Sequence, residues 1–353
     1  MRHIIFIIIG FLFMPHTINT HLFSLGLTEF VCTDYSRLFN NLPRTLEVAV
    51  WYPTHDTSPY QKIKNPTWKI KDVIKNASFP ANTQFPLIIF SHGYSGNQWQ
   101  NSWVIESLAQ HGYIVAAIRH YGNSYPNMIP EICARPWNRP ADMSFVLDYI
   151  LNNTELSQHI DQTRIGAAGF SQGGMACLWL AGIRAHLTPE NLKRQITLIY
   201  DPRTRERHFP HISLEYLDAV LDHFEPQDFE QANKSYYDSR FKAVCAIAPG
   251  IDEENFMFTP TGLALSKTPS YIIVGAADDG TVEQCIFFNQ HIPQNTRTII
   301  PGEVTHWTLL NEGTEQGKIE NPYIMTDKPS VDRHAVHQKA SEDIVTFFDG
   351  YFK

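Results

Sequence analysis

The chain has 353 residues, 43% of them apolar and 18% charged, with a formal net charge of −8. That balance is ordinary for a globular protein and supplies enough apolar material for a large core. The acidic surplus excludes a phosphate backbone, and so nucleic acid, as the main partner, since that role needs a basic face. No internal repeat, low-complexity tract or long single-sign charge run is visible, so solenoid and linker readings fall away.

Arg2 and His3 precede an unbroken apolar run from Ile4 to Met14, and Pro15 ends it. A charged start and a short apolar stretch predict a signal peptide over residues 1–20, and with it export to the periplasm or beyond. Spanning a bilayer takes about 20 apolar residues, more than this run holds. An uncleaved N-terminus acting as a membrane anchor is the alternative, and a buried N-terminal strand is the bland one. Ile18-Asn19-Thr20 only loosely fits a cleavage pattern, so the cut site stays open.

From about residue 30 the pattern alternates strands and helices up to residue 353, as one domain. Leu46–Tyr52 reads as an early strand, residues 53–85 as a connection and Leu87–Phe90 as a strand buried on both faces. Gln98–His111 has helical spacing, Tyr113–Ile118 is the next strand, and Arg139–Leu151 is a helix. Ile165–Ala168 is a short strand leading to an apolar helix over Met175–His186. Residues 187–240 break the rhythm and read as an inserted cap, with a helical patch at Ile212–Phe224. Strands then follow at Ala243–Ala248, Tyr271–Val274 and Thr296–Ile300, with helices at Thr281–Gln290 and Ser341–Phe352. This order predicts an α/β fold: a mostly parallel central sheet with right-handed crossovers and helices on both faces.

Five cysteines (Cys32, Cys133, Cys177, Cys245, Cys285) are too dispersed for a disulfide framework or a zinc site. Cys177 and Cys245 read as core residues. One disulfide among the other three is open in an oxidising compartment.

The sharpest motif is Gly169-Phe170-Ser171-Gln172-Gly173, a G-x-S-x-G between a predicted strand and a predicted helix. That context is the nucleophile elbow of the α/β-hydrolase fold, where a tight turn exposes the serine and excludes side chains at the flanking positions. Ser171 is therefore the candidate nucleophile. A serine needs a base held by a carboxylate, and in this fold the chain order is serine, acid, histidine. His306 follows the last strand and is the candidate base. His291 precedes that strand, while His334 and His337 fall near the C-terminal helix and look solvated. Asp278, at the end of Tyr271–Val274, is the candidate acid, with Asp279 and Asp252 as competitors. The backbone N–H groups of Tyr94 and Gln172 are the candidate oxyanion donors. Tyr94 lies in the loop Ser91-His92-Gly93-Tyr94-Ser95-Gly96, which His92 is expected to order through a hydrogen bond. Of Trp99, Trp103, Trp137 and Trp307, the last is the best candidate for a pocket wall, as the neighbour of His306.

The run Phe90-Ser91-His92-Gly93 through Leu108-Ala109-Gln110-His111-Gly112-Tyr113-Ile114-Val115-Ala116-Ala117 resembles the plasma-type platelet-activating-factor acetylhydrolases. It is also similar to the bacterial group called predicted dienelactone hydrolases. Val50-Trp51-Tyr52-Pro53 and Arg139-Pro140-Ala141-Asp142 look like pieces of the same group, over roughly residues 44–182 and more loosely 243–310. The resemblance implies a metal- and cofactor-independent hydrolase of short-chain or phospholipid-type acyl esters, and supports Ser171, Asp278, His306 and the Tyr94 and Gln172 amides. True dienelactone hydrolases use a cysteine nucleophile, so with serine at position 171 that substrate name does not transfer. An amidase or peptidase with the same residues, or a non-catalytic binding protein keeping the fold, are the rival readings. Contact with a membrane is compatible with the sequence and not implied by it.

Overall fold

The structure, a computed structural model, describes residues 22–192, 220–250 and 257–353. The expected signal peptide, residues 193–219 of the expected cap, and Asp252 lie outside the described residues.

Among the described residues, nine strands form one sheet. In chain order the strands are β1 (Ser24–Phe39), β2 (Leu42–Thr54), β3 (Ile74–Lys75), β4 (Phe85–Ser91), β5 (Ile114–Arg119), a small separate hairpin of β6 (Asn123–Ser124) and β7 (Asn127–Met128), β8 (Ile160–Phe170), β9 (Phe241–Ile247), β10 (Ser270–Gly275) and β11 (Asn295–Ile300). The order across the sheet is β11-β10-β9-β8-β4-β5-β2-β1-β3. From β11 to β5 every neighbouring pair is parallel. β2 then runs antiparallel to β5, and β1 antiparallel to β2. All seven residues of β4 are buried, which requires cover on both faces of the sheet. Each fully buried Ile, Val or Leu here contributes about 1.5–3 kcal/mol relative to exposure.

The main helices are α1 (Ser102–Gln110), α2 (Asn138–Asn153), α3 (Gln172–Ala181), α4 (Pro226–Asn233), α5 (Thr281–His291) and α6 (Arg333–Phe352). α1 packs against α6, and α2 against α3. α3 begins directly after Ser171 and stops at Gly182, whose φ of 113° no L side chain adopts easily. It is thus shifted toward the N-terminus relative to the expected Met175–His186. α6 starts eight residues before the expected Ser341, because the Asp332 carboxylate caps it by accepting the Ala335 N–H at 3.1 Å. The described part of the expected cap contributes helical residues at 189–192, a 3-10 turn at Val220–His223 and α4.

One further expectation is corrected, and the open question of a disulfide is answered. His337 is not solvated: it is buried, stacks on Trp103 at 4.5 Å and 6°, and donates from Nε2 to the Thr308 carbonyl at 2.8 Å. Burial pushes its pKa down to about 4. All five cysteines are buried free thiols, with no disulfide among them.

Candidate active site

Ser171 stands at the carboxyl end of the central strand β8, with φ 53° and ψ −122°. A non-glycine residue there stores about 1–3 kcal/mol of strain, which the surroundings must hold in place. Its N–H donates to the Ile247 carbonyl of β9 at 2.8 Å, and its own carbonyl accepts the Met175 N–H at 3.1 Å as α3 begins. The glycines of the motif have a direct steric cause. A Cβ on Gly169 would lie 2.4 Å from the Gly173 oxygen, and one on Gly173 would lie 2.0 Å from the Ser91 oxygen. Helix, turn and β4 meet too closely for any side chain.

β10 and β11 carry the next two residues. Their register pairs Gly275 with Ile300, and the loops beyond are joined by Ala276 N–H to the Ile300 carbonyl (2.9 Å) and Ala277 N–H to the Val304 carbonyl (3.0 Å). Asp278 and His306 thereby face each other, with His306 Nδ1 at 2.8 Å from Asp278 Oδ2. The carboxylate is 3% exposed and the imidazole 21%. A carboxylate only accepts, so Nδ1 carries the proton and Nε2 of the neutral ring is left as the acceptor. The His306 ring lies 4.7 Å from the ring of Phe170, the residue before Ser171. Asp279 is exposed. Behind His306, the Leu309 carbonyl accepts from Asn101 Nδ2 and Trp103 Nε1, both at 3.0 Å. Trp307 meets the His306 ring edge-on at 5.5 Å.

Gln172, the first residue of α3, is buried. The first N–H groups of a helix have no partner inside the helix, which makes them natural donors to an anion. The Gly93–Gly96 loop lies beside it. His92 is buried, with Nδ1 donating to the Gly93 carbonyl at 2.6 Å and Nε2 accepting the His120 N–H at 3.3 Å. Burial and the nearby Arg139 and His120 push its pKa well down, which keeps the ring neutral and suits that tautomer. Gln100 ties the loop to the His306 segment: its side chain accepts the Gly93 N–H at 3.1 Å and its carbonyl accepts the Asn311 N–H at 2.9 Å.

A second Ser-His-Asp chain lies beneath this loop. Ser91 Oγ is 2.8 Å from His120 Nε2, and His120 Nδ1 is 2.7 Å from Asp142 Oδ2. All three residues are buried, and none sits at a strained turn. Asp142 also takes a two-pronged contact from Arg44 at 2.6 and 2.9 Å and an ion pair with Arg37 at 2.8 Å. These cations hold its carboxyl far below the usual range, while burial takes His120 down to about 4. With both proton sites committed and no access for substrate, this chain braces the fold. Ser171, partly exposed at the elbow, is differently placed.

The sequence reading gave no role to Asn123, His120 or Gln100, and named Arg139 and Asp142 only as pieces of a resemblance. Their signal was faint: Arg139 and Asp142 are three apart on one helix, where charges usually mark a solvated face, yet both are buried.

A cavity of about 600 Å³ opens among Arg37, Arg44, Tyr121, Ile132, Arg135 and Asp228, and neither Ser171, Asp278 nor His306 lines it. Among the described residues no group of three or more His, Cys, Asp or Glu is placed to hold a metal ion, and no helix is long and apolar enough to cross a membrane.

Sheet order and the strand-turn-helix elbow match the α/β-hydrolase fold. Comparison with known proteins agrees. The chain is similar over 93% of its length, at TM-score 0.60 and 18% identity, to the structure of a ferulic acid esterase from Streptomyces cinnamoneus, 89% of which is covered. Residues 31–129 match the family model for platelet-activating factor acetylhydrolase, isoform II. A cutinase from Thermobifida fusca is 25% identical over 164 residues, 40% of this chain and 49% of the cutinase. Cutinase est1 from Thermobifida alba is 32% identical over 108 residues, 30% of this chain and 33% of that protein. Dipeptidyl-peptidase 5 from Porphyromonas gingivalis is 29% identical over 126 residues, 33% of this chain and 17% of the peptidase. The chain thus spans less than half the length of each of these sequence relatives. It is an α/β-hydrolase by fold, with esterases prominent among its relatives.

Proposed function

We propose that this protein is a serine hydrolase cleaving carboxylic esters, with Ser171 as nucleophile, His306 as base and Asp278 as the acid that orients it. The observation that carries the reading is the buried Asp278 carboxylate fixing His306 Nδ1 at 2.8 Å, beside an elbow that holds Ser171 at a positive φ. In the first step Ser171 Oγ attacks the ester carbonyl carbon while His306 Nε2 takes its proton. The tetrahedral oxyanion is held by the Tyr94 and Gln172 N–H groups, each worth about 3 kcal/mol by analogy with oxyanion-hole deletions. Asp278 stabilises the imidazolium, which then protonates the departing alcohol. Water activated by His306 attacks the acyl-enzyme, releasing the acid and restoring Ser171. No step requires a metal or cofactor.

The cutinase and ferulic acid esterase relatives favour ester over amide substrates. Short-chain or phospholipid-type acyl esters are the proposed class, and an exported protein the proposed setting, with an uncleaved N-terminal anchor as its variant. The dipeptidyl-peptidase relative favours a second reading, peptide cleavage by the same residues. Hydrolysis of p-nitrophenyl esters from acetate to laurate, compared with peptide p-nitroanilides, separates the two. Activity on esters that Ser171→Ala abolishes supports the first reading. A folded wild type active only on the anilides replaces it with the second.

A further inference from the structure

We propose that Arg139 and Asn123 are positioning residues that aim the Tyr94 oxyanion-binding amide, an inference that rests on the esterase reading above. The Gly93 carbonyl receives three donors: His92 Nδ1 at 2.6 Å, Arg139 Nη2 at 3.0 Å and the Gly96 N–H at 3.1 Å. In a trans peptide the carbonyl and the following N–H point in opposite directions. Clamping the Gly93 oxygen therefore sets the direction of the Tyr94 N–H. Arg139 Nη1 holds the preceding peptide too, by donating to the His92 carbonyl.

Asn123 extends the clamp to the Ser95 N–H and to the side chain of Gln172. Its Oδ1 accepts from Arg139 Nη2 at 3.1 Å and from the Ser95 N–H at 3.4 Å, while its Nδ2 donates to Gln172 Oε1 at 3.0 Å. One guanidinium and one side-chain amide thus connect the Tyr94 loop to the first residue of α3. Arg139, Asn123 and Gln172 are 1%, 2% and 4% exposed, so water cannot replace these bonds freely. Arg139 makes no hydrogen bond to a carboxylate among those of the described residues. Its bonds go to oxygens of Ser91, His92, Gly93 and Asn123, and Asp142, one turn further along α2, carries the compensating charge.

An aimed donor matters more to an oxygen anion than to a sulfur anion, which accepts hydrogen bonds weakly. The test compares p-nitrophenyl acetate with its thionoester, C=S replacing C=O, on wild type, Arg139→Lys and Asn123→Ala, each confirmed by cooperative melting. We expect kcat on the ester to fall about 10- to 100-fold with KM changed less than about threefold, and the ester-to-thionoester rate ratio to fall with kcat. Should Arg139→Lys fail to fold, Asn123→Ala decides alone, since it removes only the bridge. Equal losses on both substrates, or no loss on either, would overturn the proposal and leave the esterase reading intact. A wild type inert on both, or a Ser171→Ala chain as active as wild type, removes the esterase reading and the proposal with it.

Discussion

Asp278 Oδ2 accepts the Nδ1–H of His306 at 2.8 Å, across two loops that are themselves tied by the Ala277 N–H to the Val304 carbonyl. The geometry makes the carboxylate, and not its exposed neighbour Asp279, the group that fixes the imidazole tautomer. Asp278→Asn keeps the shape but offers an amide that can donate to Nδ1, which reverses the tautomer and leaves Nε2 protonated. A loss of about 10³–10⁴ in kcat is expected, in line with tautomer reversal in other serine triads, while Asp279→Asn stays near wild type. Rates on p-nitrophenyl acetate for both variants check this, and an equal loss in the two would remove Asp278 from its assigned place.

The parts of this site that were legible in the sequence are those where sterics or chain order leave few choices. Gly169 and Gly173 are written by the approach of α3 to β4, and His306 by its place after the last parallel strand. β1 was not legible. It lies between β2, to which it is antiparallel, and the two-residue edge strand β3, and the stretch Thr28–Val31 between buried Leu27 and Cys32 is half-exposed or exposed, so its apolar signal is thin. The charged cluster was hidden for a different reason. Arg44 and Asp142 are 98 residues apart, and nothing local announces that their charges will meet inside. His337 reads as solvated because Arg333, His334 and Lys339 surround it in sequence, while the helix turns it inward to stack on Trp103.

Ser91, His120 and Asp142 share residue types with the proposed Ser171, His306 and Asp278, which invites a direct contrast. A fluorophosphonate probe should label wild type and Ser91→Ala alike, and leave Ser171→Ala unlabelled. Ser91→Ala instead removes the donor to His120 and an acceptor of Arg139, at a stability cost of about 1–3 kcal/mol for buried groups left unpaired. Tryptic mapping of the labelled peptide decides it: label on residue 91 would transfer the nucleophile to the buried chain.

Glycine substitutions separate close approach from mere helix propensity. In Gly173→Ala the new methyl would meet the Ser91 carbonyl at 2.0 Å, and backbone on both sides leaves only displacement of α3. The variant should lose at least about 1–3 kcal/mol and, because Ser171 moves with the helix, about 100-fold or more in rate. Gly350, in α6, has nothing within 4 Å of the position that a methyl group would take, so Gly350→Ala should gain up to about 1 kcal/mol from helix propensity. Thermal melts of the pair would show opposite signs.

Glu106 supplies a pH dependence that is separate from the active site. Its carboxyl is buried in α1, where burial pushes the pKa up to about 7 against the Lys71 N–H bond at 2.9 Å that favours ionisation. The unfolded chain ionises this group near pH 4.5, so the folded state holds its proton longer. The resulting stability is present below pH 4.5 and is lost as pH rises through about 7. Glu106→Gln keeps an oxygen to accept the Lys71 N–H and cannot ionise. It should therefore melt higher than wild type at pH 8, by a free energy of up to about 3 kcal/mol, and close to wild type at pH 5. Unfolding titrations at the two pH values measure the difference directly, and a gap that did not widen from pH 5 to 8 would mean that the Glu106 carboxyl ionises in the folded protein as freely as in water.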